Sequence, residues 1–530
     1  MIYVIGSGPT GVAAAAALLN RNLQVTMLDA GFVLEPERRQ IVHQLAMGKP
    51  ADWPVTSVAR MKEGFSANAA GIPLKYSYGS DFPYRDTERW LPQESAGVGL
   101  LPSLAQGGLS NVWGGAVLPY LPAELASWPI SFEQLAPHYQ AVLAWMGLSA
   151  HHDDLEELFP LCHGQPVPLP ISRQADGLLK DLQRHRLELR ERGIWFGSSR
   201  LAVRANDPGH VPCATCGLCM YGCPYGLIYN AQSTLDQLRR NPGFSYRGGV
   251  IVERFAESGG RVQISIKSVV DGERTVLDGS RLYVGAGVLS STRLVLESAD
   301  AFDRPLTLRD SQYFLLPLVR YRRTPGVTTE PLHTLSQVFL EIFDRDLSEH
   351  SVHLQIYGYN DLFLQAMQSS LGRATVAMRP LIGQFLERFL LIQGYLHSDL
   401  SPAIEVTLQR AAAGQPGRLR LVPRLNPCTG GVLKKLARKL RQSRSLLRAV
   451  PLRPLMKVGE PGRGFHSGGT LPMSASPGPF QTDALGRPHG FERVHIVDSS
   501  VFPTIGASTI TLTAMANAHR IASAHDAGPT

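Results

Sequence analysis

The sequence predicts an α/β fold with an α+β second domain: a Rossmann-like dinucleotide-binding domain beside a domain built on an antiparallel sheet. Three observations carry this. The chain opens as strand, glycine turn and helix, with Gly6-Ser-Gly8-Pro-Thr-Gly11 between Ile2–Ile5 and the alanine-rich Val12–Leu19. A strand ending in an acid, Arg493–Asp498, then a turn and the helical stretch Thr509–Ala524, return near the C-terminus. Between these ends, alternating runs such as Val352–Tyr357 and Ile404–Leu408 read as strands of an antiparallel sheet.

In G-x-G-x-x-G the first glycine makes the tight turn. The second lets backbone approach a pyrophosphate, and the third lets helix pack on strand. Helix N-terminal amides favour the phosphate charge. A second strand, Leu23–Leu28, ends at Asp29, where a carboxylate suits the hydroxyls of an adenosine ribose. The bland alternative is a glycine turn with no ligand. Residues 31–96, rich in Pro, Gly and aromatics, show no period and read as an excursion or lid. In Gln106–Gly115, glycines at 107, 108, 114 and 115 point to backbone pressed against something flat or charged, or against its own protein.

Ser131 is a plausible N-cap for a helix running to about Met146. Residues 150–175 look like a linker, and His151, His152, Asp153 and Asp154 read as a solvated loop start rather than a metal site. A helix is expected near Ser233–Arg240, then strands at Phe244–Arg247 and Gly249–Arg254, and a meander through Val262–Ser268 and Thr275–Leu277. A buried strand from Arg281 leads to a second glycine turn at Gly285 and Gly287. Asp361–Leu390 has helical apolar periodicity and reads as core, with a surface for lipid or a long apolar substrate as the alternative. Val432–Arg448 reads as a solvated amphipathic helix bearing Lys434, Lys435, Arg438, Lys439, Arg441, Arg444 and Arg448, docking to an anionic membrane or acidic partner being the alternative.

Four of the six cysteines fall within eleven residues, Cys213-Ala-Thr-Cys216-Gly-Leu-Cys219-Met-Tyr-Gly-Cys223-Pro224. This C-x2-C-x2-C-x3-C-P run is the one that wraps iron–sulfur clusters in bacterial ferredoxins. Zinc and a purely structural role remain alternatives; a zinc ribbon would want a second C-x2-C, and there is none. Either Cys162 or Cys428 completes a four-iron cluster, or three cysteines of the run hold a three-iron one.

The 530 residues suggest two or more domains. With 44% hydrophobic and 18% charged residues the composition is that of a soluble globular protein. A net charge of +8 permits an anionic partner without demanding one. No nucleic-acid motif and no internal repeat occur. No run is long enough for a transmembrane helix. The strand at Ile2 leaves no room for a signal peptide, so a cytoplasmic location is expected, with peripheral membrane contact open.

Taken together, these residues resemble the glucose–methanol–choline (GMC) family of flavoprotein oxidoreductases. Four regions carry the likeness: Gly6-x-Gly8-x-x-Gly11; Gly107–Gly115; Gly285-Ala-Gly287 with Ser291-Thr-Arg293; and His466-x-x-Gly469-Thr470 with Val497-Asp498-x-Ser500-Val-Phe-Pro503. Trp128-Pro-Ile and the cysteine run are closer to the bacterial sugar and alcohol dehydrogenase branch, in which a C-x5-C-x3-C-P loop holds a three-iron cluster. Cys213, Cys219 and Cys223 have that spacing, and Cys216 is extra.

The resemblance implies FAD, with Gly6, Gly8, Gly11 and Asp29 on the ADP half. Gly107, Gly108, Ser110, Asn111, Gly114, Gly115, Gly285, Gly287, Asp498 and Thr509 would hold the rest. It implies an FAD-binding domain from 1–40, 97–300 and 462–530, carrying the 213–224 cluster loop, and a substrate-binding domain from 41–96 and 301–461. His466 faces the reactive flavin edge by resemblance, and its ordinary pKa near 6.5 suits a base at neutral pH. The family's second group is usually Asn or His; Ser508 and Thr509 stand there, and a hydroxyl orients a substrate oxygen but is a poor base. The implied function is a dehydrogenase oxidising a sugar or other alcohol. Electrons would pass through an iron–sulfur cluster, [4Fe-4S] or [3Fe-4S], bound by Cys213, Cys216, Cys219 and Cys223, to a quinone, cytochrome or iron–sulfur protein. A non-catalytic electron-transfer subunit and a flavin-dependent lyase or isomerase are the rival readings.

Overall fold

The computed structural model describes residues 1–64, 66–67, 72–205, 211–371, 381–412 and 415–525. Its centre is a five-stranded sheet in the order Val494–Ile496, Arg281–Val284, Ile2–Ile5, Val25–Leu28, Phe244–Arg247. Every pairing is parallel, with Ile2 beside Val25 on one side and Arg281 on the other. Parallel strands are buried on both faces and so read as unbroken apolar runs. The helix Pro9–Leu19 packs against the C-terminal helix Ile510–Ser523. Its five consecutive alanines suit it twice, by helix propensity and by letting the helix sit close to its neighbours. The expected meander is present as Val250–Ser258, Arg261–Ser268 and Arg274–Gly279, all antiparallel.

Residues 301–461 supply most of two further sheets. One runs Ala449–Pro451, Tyr313–Arg320, Phe389–Leu396, Val352–Tyr357, Val338–Ile342, Ile194–Ser198. The other runs Ser467–Gly468, Leu306–Asp310, Ala403–Gln409, Arg418–Arg424, Gln93–Ser95. The two alternating runs read from the sequence therefore belong to different sheets. In the first, Val352, Leu354 and Ile356 face an apolar core with Leu178, Leu182, Leu436 and Leu440, while His353, Gln355 and Tyr357 point to the opposite side. That two-faced sheet prepares the site.

Local signals succeeded where a cap or an apolar stripe was present. Phe132–Met146 is helical, and Ser131 forms a capping box with Gln134, an arrangement of about 1 kcal/mol. The expected irregularity of 31–96 is corrected: Pro36–Met47 and Val55–Met61 are helices. Only Leu45 of the first is buried, so there was no apolar stripe to read. The basic helix is Thr429–Gln442. Its apolar stripe is buried in the protein's own core, Lys439 pairs with Asp344 at 2.6 Å, and Lys435 donates to the Asp346 carbonyl at 2.8 Å. Of the 361–390 stretch, Asp361–Leu371 is helical, while 372–380 lie outside the described residues. No helix among the described residues is long and apolar enough to cross a membrane.

Candidate active site and cysteine loop

The two glycine turns stack over the end of the parallel sheet. A Cβ on Gly11 would lie 1.8 Å from the Gly6 carbonyl oxygen, so only glycine lets helix and turn close there. Gly8 is the opposite case, since a Cβ there would meet nothing nearer than the Gly108 Cα at 4.0 Å. The backbone at Gly8 thus borders open space on a cleft lined also by Asp29, Leu104, Gly108, Gly287 and Ser499. That is the cradle a pyrophosphate needs: amides at a helix N-terminus and no side chain in the way.

Asp29 lies on this cleft. Its Oδ2 accepts from the Ser7 hydroxyl at 2.5 Å and from Tyr246 at 2.9 Å, and the Ser7 amide lies 3.3 Å from Oδ1. Burial pushes its pKa up to about 6 against these hydrogen bonds. Ser7 also accepts from the Gly107 amide at 3.0 Å, which docks the second glycine loop on the first.

Ser110 and Asn111, expected to contact a cofactor, are turned inward. Ser110 donates to the Gly107 carbonyl at 2.6 Å, and Asn111 donates to the Gly108 carbonyl at 2.7 Å. Gly108 and Leu109 are what the loop presents to the cleft. Asp498 is likewise engaged. It accepts from the Gly287 amide at 2.8 Å, from the Ser291 hydroxyl, and from the Ser500 amide and hydroxyl at 3.0 and 2.5 Å. Its carboxylate ties the Gly285–Gly287 turn to the C-terminal turn, and burial raises its pKa. Gly115 packs beside Ala202 and Ile228.

His466 stands where the cleft meets the antiparallel sheet. Its chain neighbours Phe465 and Ser467 line the cleft, while its ring stacks on Tyr395 with centroids 4.5 Å apart. Its Nδ1 is buried and has no hydrogen-bond partner among the described residues. Burial, then nearby His353, pushes its pKa down to about 3. The ordinary value expected from the sequence is therefore corrected: the ring is neutral throughout the physiological range, with a lone pair to offer.

Thr509 and Ser508, the candidate second groups, face elsewhere. Thr509 Oγ1 accepts from the Leu118 amide at 2.8 Å, and Ser508 lies 3.5 Å from Glu124. Glu124 is itself buried, with its pKa pushed up to about 7. The polar groups beside His466 come instead from the sheet. His353 pairs with Tyr395, Glu341 with His353, and Tyr313 with Tyr395 across adjacent strands. These residues were missed by sequence reasoning. The signal was present in Val352-His-Leu-Gln-Ile-Tyr357, where the second, fourth and sixth residues are polar in an otherwise apolar strand.

The cysteine loop adjoins the glycine loop. Cys213, Cys219 and Cys223 pack against a cluster containing Ala116, Leu118 and Val203. Lys75 lies close enough to feel Cys219, and its ammonium donates to the Trp113 carbonyl at 2.7 Å. Tyr78 donates to the Cys223 carbonyl at 3.2 Å. Burial, then the neighbouring thiols, pushes Cys216 up to about 12, and burial is also the first cause of the rise to about 11 at Cys223. Cys428 is exposed ahead of the basic helix, and Cys162 packs against a different core; among the described residues neither joins the loop. The four sulfurs do not gather as closely as 4.8 Å. The group that does, among the described residues, is His350, His397 and Asp399. The two imidazoles there are stacked at 3.6 Å with planes only 6° apart, so their in-plane lone pairs do not converge on one ion.

Comparison with known proteins agrees with this arrangement. The GMC oxidoreductase family profile matches residues 453–518, the segment that holds His466 and Asp498. No curated protein matches the sequence. Among solved structures, the chain is similar to pyridoxine 4-oxidase from Mesorbium loti, at 16% identity and a TM-score of 0.58 over 98% of both chains. It is similar to an FAD-dependent oxidoreductase from Chaetomium thermophilum at 12% identity and a TM-score of 0.59, again over 98% of each. Aspergillus oryzae RIB40 formate oxidase gives 12% and 0.58 over 98% of this chain and 97% of its own. At these identities the likeness establishes the fold: a Rossmann-like domain with an antiparallel-sheet domain. With the matched C-terminal segment, it supports an oxidoreductase enzyme.

Proposed function

We propose that the chain is an FAD-dependent dehydrogenase that oxidises a CH–OH group of a sugar or other alcohol to a carbonyl, with His466 as the base. The observation that carries this is the place of His466: its chain neighbours line the cleft, and its buried Nδ1 has no hydrogen-bond partner among the described residues. When bound, the flavin supplies the hydride acceptor. The chain supplies the rest. Gly8 and Gly287 leave room at the two turns, Asp29 is offered to the ribose, and the Gly108–Leu109 backbone faces the cleft. His466 takes the proton of the substrate hydroxyl, and Tyr395 holds its ring. We read 1–40, 97–300 and 462–530 as the cofactor domain, and 41–96 with 301–461 as the substrate domain.

The cysteine loop fits an iron–sulfur cluster by its donors. Burial holds the Cys213, Cys216 and Cys223 thiols protonated in the absence of a cation to stabilise the thiolates. Such a cluster stores single electrons for a quinone, cytochrome or iron–sulfur partner. Lys75, between Trp113 and Cys219, makes the two sites neighbours.

Absorption and EPR spectra with metal analysis on anaerobically prepared protein test both groups: flavin and iron are expected, and colourless, iron-free protein refutes the reading. His466→Ala is expected to slow substrate-driven flavin bleaching about 10²–10⁴-fold. Cys219→Ala is expected to leave bleaching intact and abolish turnover with ferricyanide.

A further inference from the structure

Positive charge is concentrated in one part of the chain. Residues 406–459 contain 13 lysines and arginines and no aspartate or glutamate. The whole chain carries only +8, so the rest of it is net acidic. The helix Thr429–Gln442 gathers much of this charge. Its Val432, Leu433, Leu436 and Leu440 are spent on the protein's own core. Lys434, Arg438 and Arg441 recur at i, i+4 and i+7, which sets them on one face, and all three are exposed. The acid nearest to this helix, Asp344, is already held by Lys439 at 2.6 Å, and among the described residues Lys434, Arg438 and Arg441 form no ion pair.

Tertiary structure extends the row. Arg192, from a distant part of the chain, donates to the Gln442 carbonyl at 3.3 Å, and Arg444 donates to the Arg441 carbonyl at 3.3 Å. Cations at a helix C-terminus meet the negative end of its dipole, so this part of the charge stabilises the helix. Lys434 and Arg438 have no such use: they lie in mid-helix, where like charges four residues apart repel. The fold gains nothing from them, whereas an external anionic surface would.

Aliphatic side chains flank the row at both ends. Leu425, four residues before the helix, is 85% exposed. Leu455 is 56% exposed and follows the strand Ala449–Pro451, which packs on the helix. Exposed leucines gain nothing from a polyanion in water. At the boundary between lipid headgroups and acyl chains they are buried while neighbouring cations meet phosphates.

We infer that this face docks on an anionic lipid bilayer. Arg192, Lys434, Arg438, Arg441 and Arg444 meet the headgroups, and Leu425 and Leu455 enter the interface. The contact is peripheral, because the apolar stripe of the helix stays in the core. It lies across the sheet from His353 and Tyr357, so it holds the antiparallel-sheet domain to the membrane and leaves the His466 side uncovered. It does not depend on the proposed alcohol oxidation.

The test is sedimentation of the full chain with vesicles of phosphatidylcholine, alone or mixed equally with phosphatidylglycerol. Binding is expected only to the mixed vesicles, and should weaken sharply at about 0.5 M KCl. The triple variant Lys434→Gln, Arg438→Gln, Arg441→Gln should bind about 100-fold more weakly. Arg410→Gln, Arg418→Gln, Arg420→Gln removes the same charge away from the helix and should bind like the parent. Leu425→Ser with Leu455→Ser keeps every charge and should still lose at least about tenfold. Melting temperature and flavin content should be unchanged in all three. No binding of the parent to mixed vesicles, or equal losses in the two charge variants, overturns the inference. Undiminished binding of the leucine variant overturns the bilayer as partner and leaves a site for an acidic protein or other polyanion.

Discussion

The two walls of the active site are built on opposite principles. The parallel-sheet wall is made of backbone: glycines at 6, 11 and 285 let turns close on one another, those at 8 and 287 border open space, and Asp498 is consumed in tying the turns together. The antiparallel wall is made of side chains: Glu341, His353, Gln355, Tyr357 and Tyr395 share one face across adjacent strands. A backbone wall suits a ligand whose recognised part is a phosphate, the same in every reaction. A side-chain wall can be rewritten residue by residue, which suits a substrate.

The most severe test of this contrast is Gly11→Ala. The new Cβ would sit 1.8 Å from a backbone oxygen that cannot move without opening the sheet, so little folded, flavin-containing protein is expected from purification. A well-folded yellow Gly11→Ala protein would show that the turn is not closed as described. Next is His353→Leu. It leaves Glu341 buried and unpaired, and urea unfolding should show a loss of about 3–5 kcal/mol; a loss under about 1 kcal/mol would mean that Glu341 is already neutral.

Gly8→Ala separates binding from folding within the backbone wall. Its Cβ meets no atom within contact distance, so the flavin-free melting temperature should not change. Flavin affinity should fall about tenfold, near 1.4 kcal/mol, because the methyl occupies the phosphate's approach. The last effect, absent at neutral pH, is expected from His466→Asn in flavin-free protein as the pH is lowered. A histidine held near pKa 3 in the fold and near 6.5 when unfolded leaves the unfolded chain holding more protons between those values. Its share of stability is complete above about pH 6.5 and is lost as pH falls towards 3. Asp29 and Glu124, raised to about 6 and about 7, act in the opposite direction but are common to both proteins. The variant's urea midpoint should therefore fall less than the parent's between about pH 6.5 and pH 4; parallel falls would mean that the ring is solvated in the fold.

The backbone wall was the legible one. Glycine spacing, a strand before it and a helix after it are local facts, and each has a local steric cause. The same holds for Ser131 capping Phe132–Met146. Legibility ended where function depended on which way a side chain turned. Ser110, Asn111 and Thr509 stand in the right segments, yet their polar groups meet the Gly107, Gly108 and Leu118 backbone. The helices at Pro36–Met47 and Val55–Met61 escaped notice because they bury too little to leave a pattern.

From residues alone came the glycine turn between strand and helix, the spacing of the four cysteines and the class of sheet in each half. Each rests on spacing along the chain, which covalent geometry converts directly into shape. Only tertiary structure decided that His466 is neutral, that Thr509 is tied to Leu118, and that Glu341, His353, Gln355 and Tyr357 form one hydrogen-bonded row. Those outcomes depend on desolvation and on pairings across strands, between residues drawn from segments distant in the chain, and no local pattern encodes them.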